Sequence, residues 1–176
     1  MDLKFRKLYA SEIECRVSTV TKNGCSLLLY KDARCDMNIL DETVGPLNWQ
    51  RSHSRENANC TVSIWDKEKK QWISKEDTGK ESFTEAEKGL ASDSFKRACF
   101  NWGIGRELYT APDIWISPDK FELKQNGKDK YGKDKYTTYD KFIVAGINYD
   151  DSGKISALSI YNIKTKQRVF VYERKG

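Results

Sequence analysis

The hydrophobic pattern opens with two β-prone runs, CRVSTV at 15–20 and CSLLLY at 25–30, on either side of Thr21-Lys22-Asn23-Gly24. Asn-Gly is the strongest short hairpin signal, because both central residues of a type I′ turn require positive φ, so a hairpin is predicted here. Over 33–44, Met37, Leu40 and Val44 fall three and four apart and the pattern stops at Gly45-Pro46, which predicts a short amphipathic helix. From 49 onward the texture changes to short runs at 49–56, 60–66 and 71–77, joined by turns at 57–59 and 67–70, an antiparallel meander. A period of two puts Trp49, Arg51, His53 and Arg55 on one face of the first run. Two guanidinium groups and an imidazole suit a wet or anion-binding face better than a dry core.

The clearest helix spans 83–102, opened by Ser82 or Thr84 with a glutamate three residues later in a capping-box arrangement. At about 100° per residue, Ala91, Phe95, Ala98, Cys99 and Trp102 share a narrow stripe, and Trp102 is expected in the core. Lys96 and Arg97 project away from that stripe, and Asp93 is spaced to pair with Arg97. Gly103-Ile104-Gly105 ends the helix. Residues 119–141 are polar and carry Gly-Lys-Asp-Lys-Tyr twice in succession, at 127–131 and 132–136, which reads as a mobile loop with Tyr131 and Tyr136 exposed. Three further strand-like runs follow, at 142–149, 155–163 and 168–172.

The expected fold is therefore α+β: a curved antiparallel β-sheet (β-hairpin, short helix, β-β-β-α core) over 1–118, a lysine-rich loop over 119–141, and a small C-terminal β meander over 142–176 extending the same domain. At 176 residues, 38% hydrophobic and 32% charged, the chain suits one soluble domain. It has no run of about 18 apolar residues for a membrane span, and its N-terminus, MDLKFRKLYA, lacks the features of a secretory signal. Five cysteines with no C-x-x-C pair, and a single histidine, argue against a disulfide framework or a zinc site and fit free thiols in a reducing cytoplasm. A net charge of +5 favours anionic partners without identifying them.

Catalytic patterns are missing from the sequence. There is no G-x-x-x-x-G-K-[ST] phosphate loop and no G-x-S-x-G. Gly103-Ile104-Gly105-Arg106-Glu107-Leu108 follows a helix and lacks the third glycine of a dinucleotide fingerprint. The expectation is a protein that is not an enzyme and uses neither cofactor nor metal. Aromatic residues reach 12% and several lie among lysines and arginines, an interleaving that suits single-stranded nucleic acid: cations follow phosphates and rings stack on bases.

Three segments together resemble the Rad fifty-two/twenty-two family of recombination proteins. They are Tyr30-Lys31-Asp32-Ala33-Arg34 leading to Val44-Gly45-Pro46-Leu47-Asn48-Trp49; the three-strand meander; and Ala91-Ser92-Asp93-Ser94-Phe95-Lys96-Arg97-Ala98 followed by Trp102-Gly103-Ile104-Gly105-Arg106-Glu107-Leu108-Tyr109. The resemblance covers residues 12–115 and is greatest to short phage and bacterial members. It implies ATP-independent binding of single-stranded DNA and annealing of complementary strands in homologous recombination and repair. It further implies a homo-oligomer, ring or helical array, joined through sheet edges and located in the bacterial cytoplasm of the host if phage or prophage encoded. A host or phage single-stranded-DNA-binding protein is an implied partner.

Within the resemblance, Lys96 and Arg97 match the family's basic pair against the phosphate backbone, and Tyr30 matches a tyrosine near the same groove. Lys88, Lys80, Arg51 and Arg55 join them on charge and position. Arg16 matches an arginine on the preceding strand. A two-residue turn at Asn23-Gly24 sets Val17 opposite Tyr30 and turns Arg16 to the other face, whereas a bulge restores Arg16 to the face of Tyr30. Phe100 departs from the pattern, since eukaryotic members carry a further basic residue there. The alternatives are a passive single-stranded-DNA-binding protein, which coats DNA and slows pairing, and a metal-dependent nuclease using the same groove.

Overall fold

In the first helix, α1 (Ala33–Val44), the Asp32 carboxylate accepts the Arg34 amide at 2.7 Å, satisfying one of the donors that a helix start leaves unpaired. Gly45, at φ +87, ends it. Cys35, Ile39 and Leu40 are buried on its inner side. The computed structural model in which these elements are seen describes residues 2–81 and 86–175, with 86–88 described by backbone alone. It is an α+β protein with, among the described residues, two α-helices and antiparallel sheets, organised as two compact units: Met1–Lys7 with Asp32–Arg106, and Leu8–Lys31 with Glu107–Gly176.

The first unit holds α1, the strands β3 (Trp49–Ser54), β4 (Asn59–Asp66) and β5 (Gln71–Thr78), and the helix α2 (Ala86–Asn101). The three strands form one antiparallel sheet in sequence order with an unbroken register. Alternation sends Cys60, Val62 and Ile64 inward against α2, whose Phe95, Ala98 and Cys99 are buried, as the helical stripe predicts. Trp102 is half-buried and its indole Nε1 donates to the Val62 carbonyl at 3.0 Å. Burial of a side chain the size of Phe95 contributes about 1.5–3 kcal/mol. Close packing recurs at Gly79, where a Cβ would stand 2.6 Å from the Ser94 amide nitrogen.

The second unit holds β1 (Glu14–Thr21), β2 (Gly24–Tyr30), β6 (Ile114–Ile116), β9 (Phe142–Tyr149), β10 (Ile155–Asn162) and β11 (Arg168–Glu173), together with a separate hairpin, β7 (Lys124–Lys128) and β8 (Asp134–Thr137). The six strands form a curved sheet in the order β11-β10-β9-β1-β2-β6, and the outer strands β6 and β11 approach one another, nearly closing it into a barrel. Cys25, Leu27, Ile116, Val144, Leu158, Ile160 and Val169 fill its interior. Asn162, fully buried, donates to Asp140 at 2.8 Å and to the Lys120 carbonyl at 3.2 Å, so its amide is not stranded in the core. The hairpin from the predicted core segment 1–118 thus hydrogen-bonds into the same sheet as the strands of 142–176.

Several predicted boundaries change. The first meander strand ends at Ser54 instead of 56, because Arg55, Glu56 and Asn57 have φ of +51, +54 and +70 and form a left-handed turn. Arg55 therefore does not share a strand face with Arg51 and His53. In the N-terminal hairpin the turn residues are Lys22 and Asn23, neither at positive φ, and not Asn23-Gly24. The run 119–141 is not a featureless loop: Asp129 accepts the amides of Tyr131 and Lys133 and Gly132 takes φ +77, so the two repeats fold into the β7–β8 hairpin. The start of the long helix and its capping residues at 82–85 lie outside the described residues.

Candidate nucleic-acid interface

The candidates divide between the units: Arg16 and Tyr30 lie in one, and Arg51, Arg55, Lys80, Lys88, Lys96 and Arg97 in the other. In the β1–β2 hairpin, Glu14 pairs with Tyr30, Arg16 with Leu28 and Val17 with Leu27, after which a bulge skips Ser18 and Thr19 pairs with Ser26. Glu14, Arg16, Leu28 and Tyr30 consequently share the outward face. The Arg16 guanidinium lies 4.7 Å over the Tyr30 ring and also meets Glu14 at 3.1 Å. Tyr30 is 36% exposed, so one ring face packs and the rest meets solvent. The sequence left open whether Arg16 and Tyr30 share a face, and the bulge brings them together.

On α2, Lys96 and Arg97 are half-exposed on the side away from the buried stripe. Arg97 Nε meets Asp93 Oδ2 at 2.8 Å, the anticipated i,i+4 pair, and the same carboxylate oxygen accepts the Lys80 amide at 2.7 Å. The positive charge of Arg97 is therefore partly offset. Arg51, exposed on β3, lays its guanidinium 4.6 Å over the Phe95 ring and roofs the edge of the core. Its neighbour His53 stands 3.5 Å from Ser94 Oγ, and burial first, then the nearby Arg51 charge, lowers its pKa from the ordinary 6.5. The face of Trp49, Arg51 and His53 is thus the one that meets α2, and its cation serves as a wet border to an apolar core. Lys80 is exposed, Arg55 is exposed in its turn, and the Lys88 side chain lies outside the described residues.

Sequence reading missed several groups. Arg106 lies 5.5 Å over the Phe100 ring and donates to the Phe100 and Asn101 carbonyls at 2.8 Å, placing a cation where the sequence has an aromatic ring. Lys75 Nζ stands 4.8 Å over Trp102. Trp65 and Trp72 pair across β4 and β5 with ring centroids 5.5 Å apart, at the base of a turn bearing exposed Lys67, Lys69 and Lys70. The signal for that pair was legible as two tryptophans flanking a predicted turn. The other face of this sheet carries Ser52, Thr61, Ser63, Ser74 and Glu76, with Ser63 and Ser74 hydroxyls 2.7 Å apart.

Burial pushes the Cys15 thiol up to about 12 and those of Cys25 and Cys60 up to about 11, so these sulfurs stay protonated and weakly nucleophilic. Among the described residues, no three or more His, Cys, Asp or Glu side chains group to hold a metal ion, and no helix is long and apolar enough to cross a membrane. Compared with known proteins, the chain matches no family model, no curated protein and no solved structure.

Proposed function

We propose that the chain binds single-stranded DNA and anneals complementary strands without ATP, in recombination or repair, as a self-assembling member of the Rad fifty-two/twenty-two type. The observation that carries this reading is the Arg16–Tyr30 pair, two residues from separate strands that stand guanidinium on ring at an outward sheet face. A stacked arginine and tyrosine offer a base a ring to lie against and a phosphate a cation to meet. Lys96, Arg97, Arg51 and Lys80 supply further cations on the other unit, and Arg106 on Phe100 puts charge where the family's eukaryotic members carry a basic residue. Annealing needs backbone neutralisation with base edges left accessible, because two complementary strands repel through their phosphates.

Mixing labelled complementary oligonucleotides with the protein, with and without EDTA and without ATP, tests this. Faster duplex formation in EDTA is the expected result. Slowed pairing would make the protein a passive coating of single strands, and metal-dependent fragments would make it a nuclease. In the same assay, Lys96→Ala with Arg97→Ala should weaken binding and flatten the slope of log affinity against log salt by about 1.4, the share of two phosphate contacts on a single strand. An unchanged slope would remove both residues from the interface.

A further inference from the structure

The six-stranded sheet carries a second arginine–tyrosine pair. Arg168 and Tyr161 face one another across β11 and β10, with the guanidinium 5.6 Å over the ring and Nη2 3.4 Å from the phenol oxygen. Register links this pair to the first. Tyr161 pairs with Ile143 on β9, Ile143 with Glu14 on β1, and Glu14 with Tyr30 on β2, so Arg168, Tyr161, Ile143, Glu14 and Tyr30 form one row across five strands. The row faces outward: Ile143 is 46% exposed between the buried Phe142 and Val144, and Tyr161 lies between the fully buried Ile160 and Asn162. One rung beyond, the Ile163 amide donates to the Lys141 carbonyl, adding an exposed lysine and an exposed isoleucine beside the pair.

We propose that this row is a path for single-stranded DNA, with bases on the Tyr161 and Tyr30 rings and phosphates against Arg168, Lys141 and Arg16. The proposal rests on the single-strand-binding reading above and assigns the C-terminal strands a part in it. Three strand-to-strand steps separate the two tyrosines, about 14 Å at about 4.8 Å per step, the length of about four stacked nucleotides at about 3.4 Å each. That is within the span over which single-strand-binding sheets engage DNA. Charge favours the same occupant over a second copy of this chain. Of the three cations that border the row, Arg16 is offset by the row's carboxylate, Glu14, which leaves Arg168 and Lys141 as net positive charge, while Glu173 sits at the far end of β11. Each guanidinium is already held over a ring before any ligand arrives, which reduces the ordering cost of binding.

The test uses the full chain and a fluorescent oligothymidylate of 20 nucleotides, read by anisotropy over a salt series. Tyr161→Leu with Arg168→Ser should weaken binding on the order of tenfold and flatten the salt slope by about 0.7, with a thermal unfolding midpoint matching the wild type. Wild-type affinity and slope in that variant, while the wild type itself binds, overturn the proposal and leave the single-strand reading intact. Failure of the wild type to bind overturns both. If the substitutions alter sedimentation but not DNA binding, a second copy occupies this face and the proposal fails. Photocrosslinking of wild-type protein to an oligonucleotide carrying 5-iodouracil gives a readout independent of the variant's folding. Adducts in the peptides carrying Tyr161 and Tyr30 are expected, and adducts confined to Asp32–Arg106 overturn the assignment.

Discussion

His53 shows how a single side chain reports its surroundings. Burial lowers its pKa, and the charge of Arg51 adds to the effect, so folding favours the neutral ring. A histidine with a folded pKa below its unfolded value binds fewer protons when folded. Its contribution is therefore fully present above about pH 6.5, is lost as pH falls from there toward the folded value, and changes no further below it. Urea denaturation at pH 7.5 and pH 5.5 should show the wild type losing more stability than His53→Gln, and equal losses would clear His53 of any role. At this scale the sequence was only partly readable. The pairing of Arg97 with Asp93 follows from helical spacing and is present at 2.8 Å. The contact of Arg16 with Tyr30 depends on one bulged residue, because a shift of one position moves every later side chain to the opposite face. Arg55 was misplaced for a related reason: three consecutive left-handed residues are rare and carry no hydrophobic signature.

Elements whose apolar residues repeat over three or more turns or rungs were the ones the pattern located. Helix α1 occupies Ala33–Val44 as predicted, and the meander strands differ from expectation by one or two residues at their ends. Strand β6 escaped notice because three residues are too few for a period, and β7 because every residue in it is exposed, so backbone pairing forms it and not burial. Strand β6 also explains Gly24. A Cβ there would lie 2.4 Å from the Ile116 carbonyl oxygen and 2.7 Å from the Trp115 indole nitrogen, and φ is +140. The glycine is required by the neighbouring strand as much as by the turn. Gly24→Ala should cost about 1–3 kcal/mol, lowering the thermal midpoint by several degrees. A midpoint within a degree of wild type would mean that β6 can move aside.

At the scale of the whole molecule, sequence order and spatial order part company. The second unit is assembled from Leu8–Lys31 and Glu107–Gly176, so its sheet joins strands separated in sequence by the whole of Asp32–Arg106. Local patterning has no means of announcing such a pairing; the meander at 142–173 and the hairpin at 14–30 each read correctly as strands, but not as neighbours. If the six strands share one interior, damage to it should be felt at both ends of the chain. Ile160 is fully buried, and Ile160→Asp places a carboxylate in an apolar interior at a cost of several kcal/mol. Amide exchange of the full-length variant should show protection lost over 14–30 together with 142–173. Loss confined to the C-terminal strands would show that the hairpin holds by itself.

The pairing of Glu14 with Ile143 also sets a timetable for the nascent chain. During translation the β1–β2 hairpin emerges from the ribosome long before β9 exists. At about 5–20 residues per second, the strand waits on the order of ten seconds for its neighbour. Throughout that interval its edge is an open template for any other strand, including the same hairpin on an adjacent ribosome of the same message. Glu14 and Arg16 place charge on the outward face of that strand, the kind of feature that disfavours edge-to-edge pairing before β9 arrives.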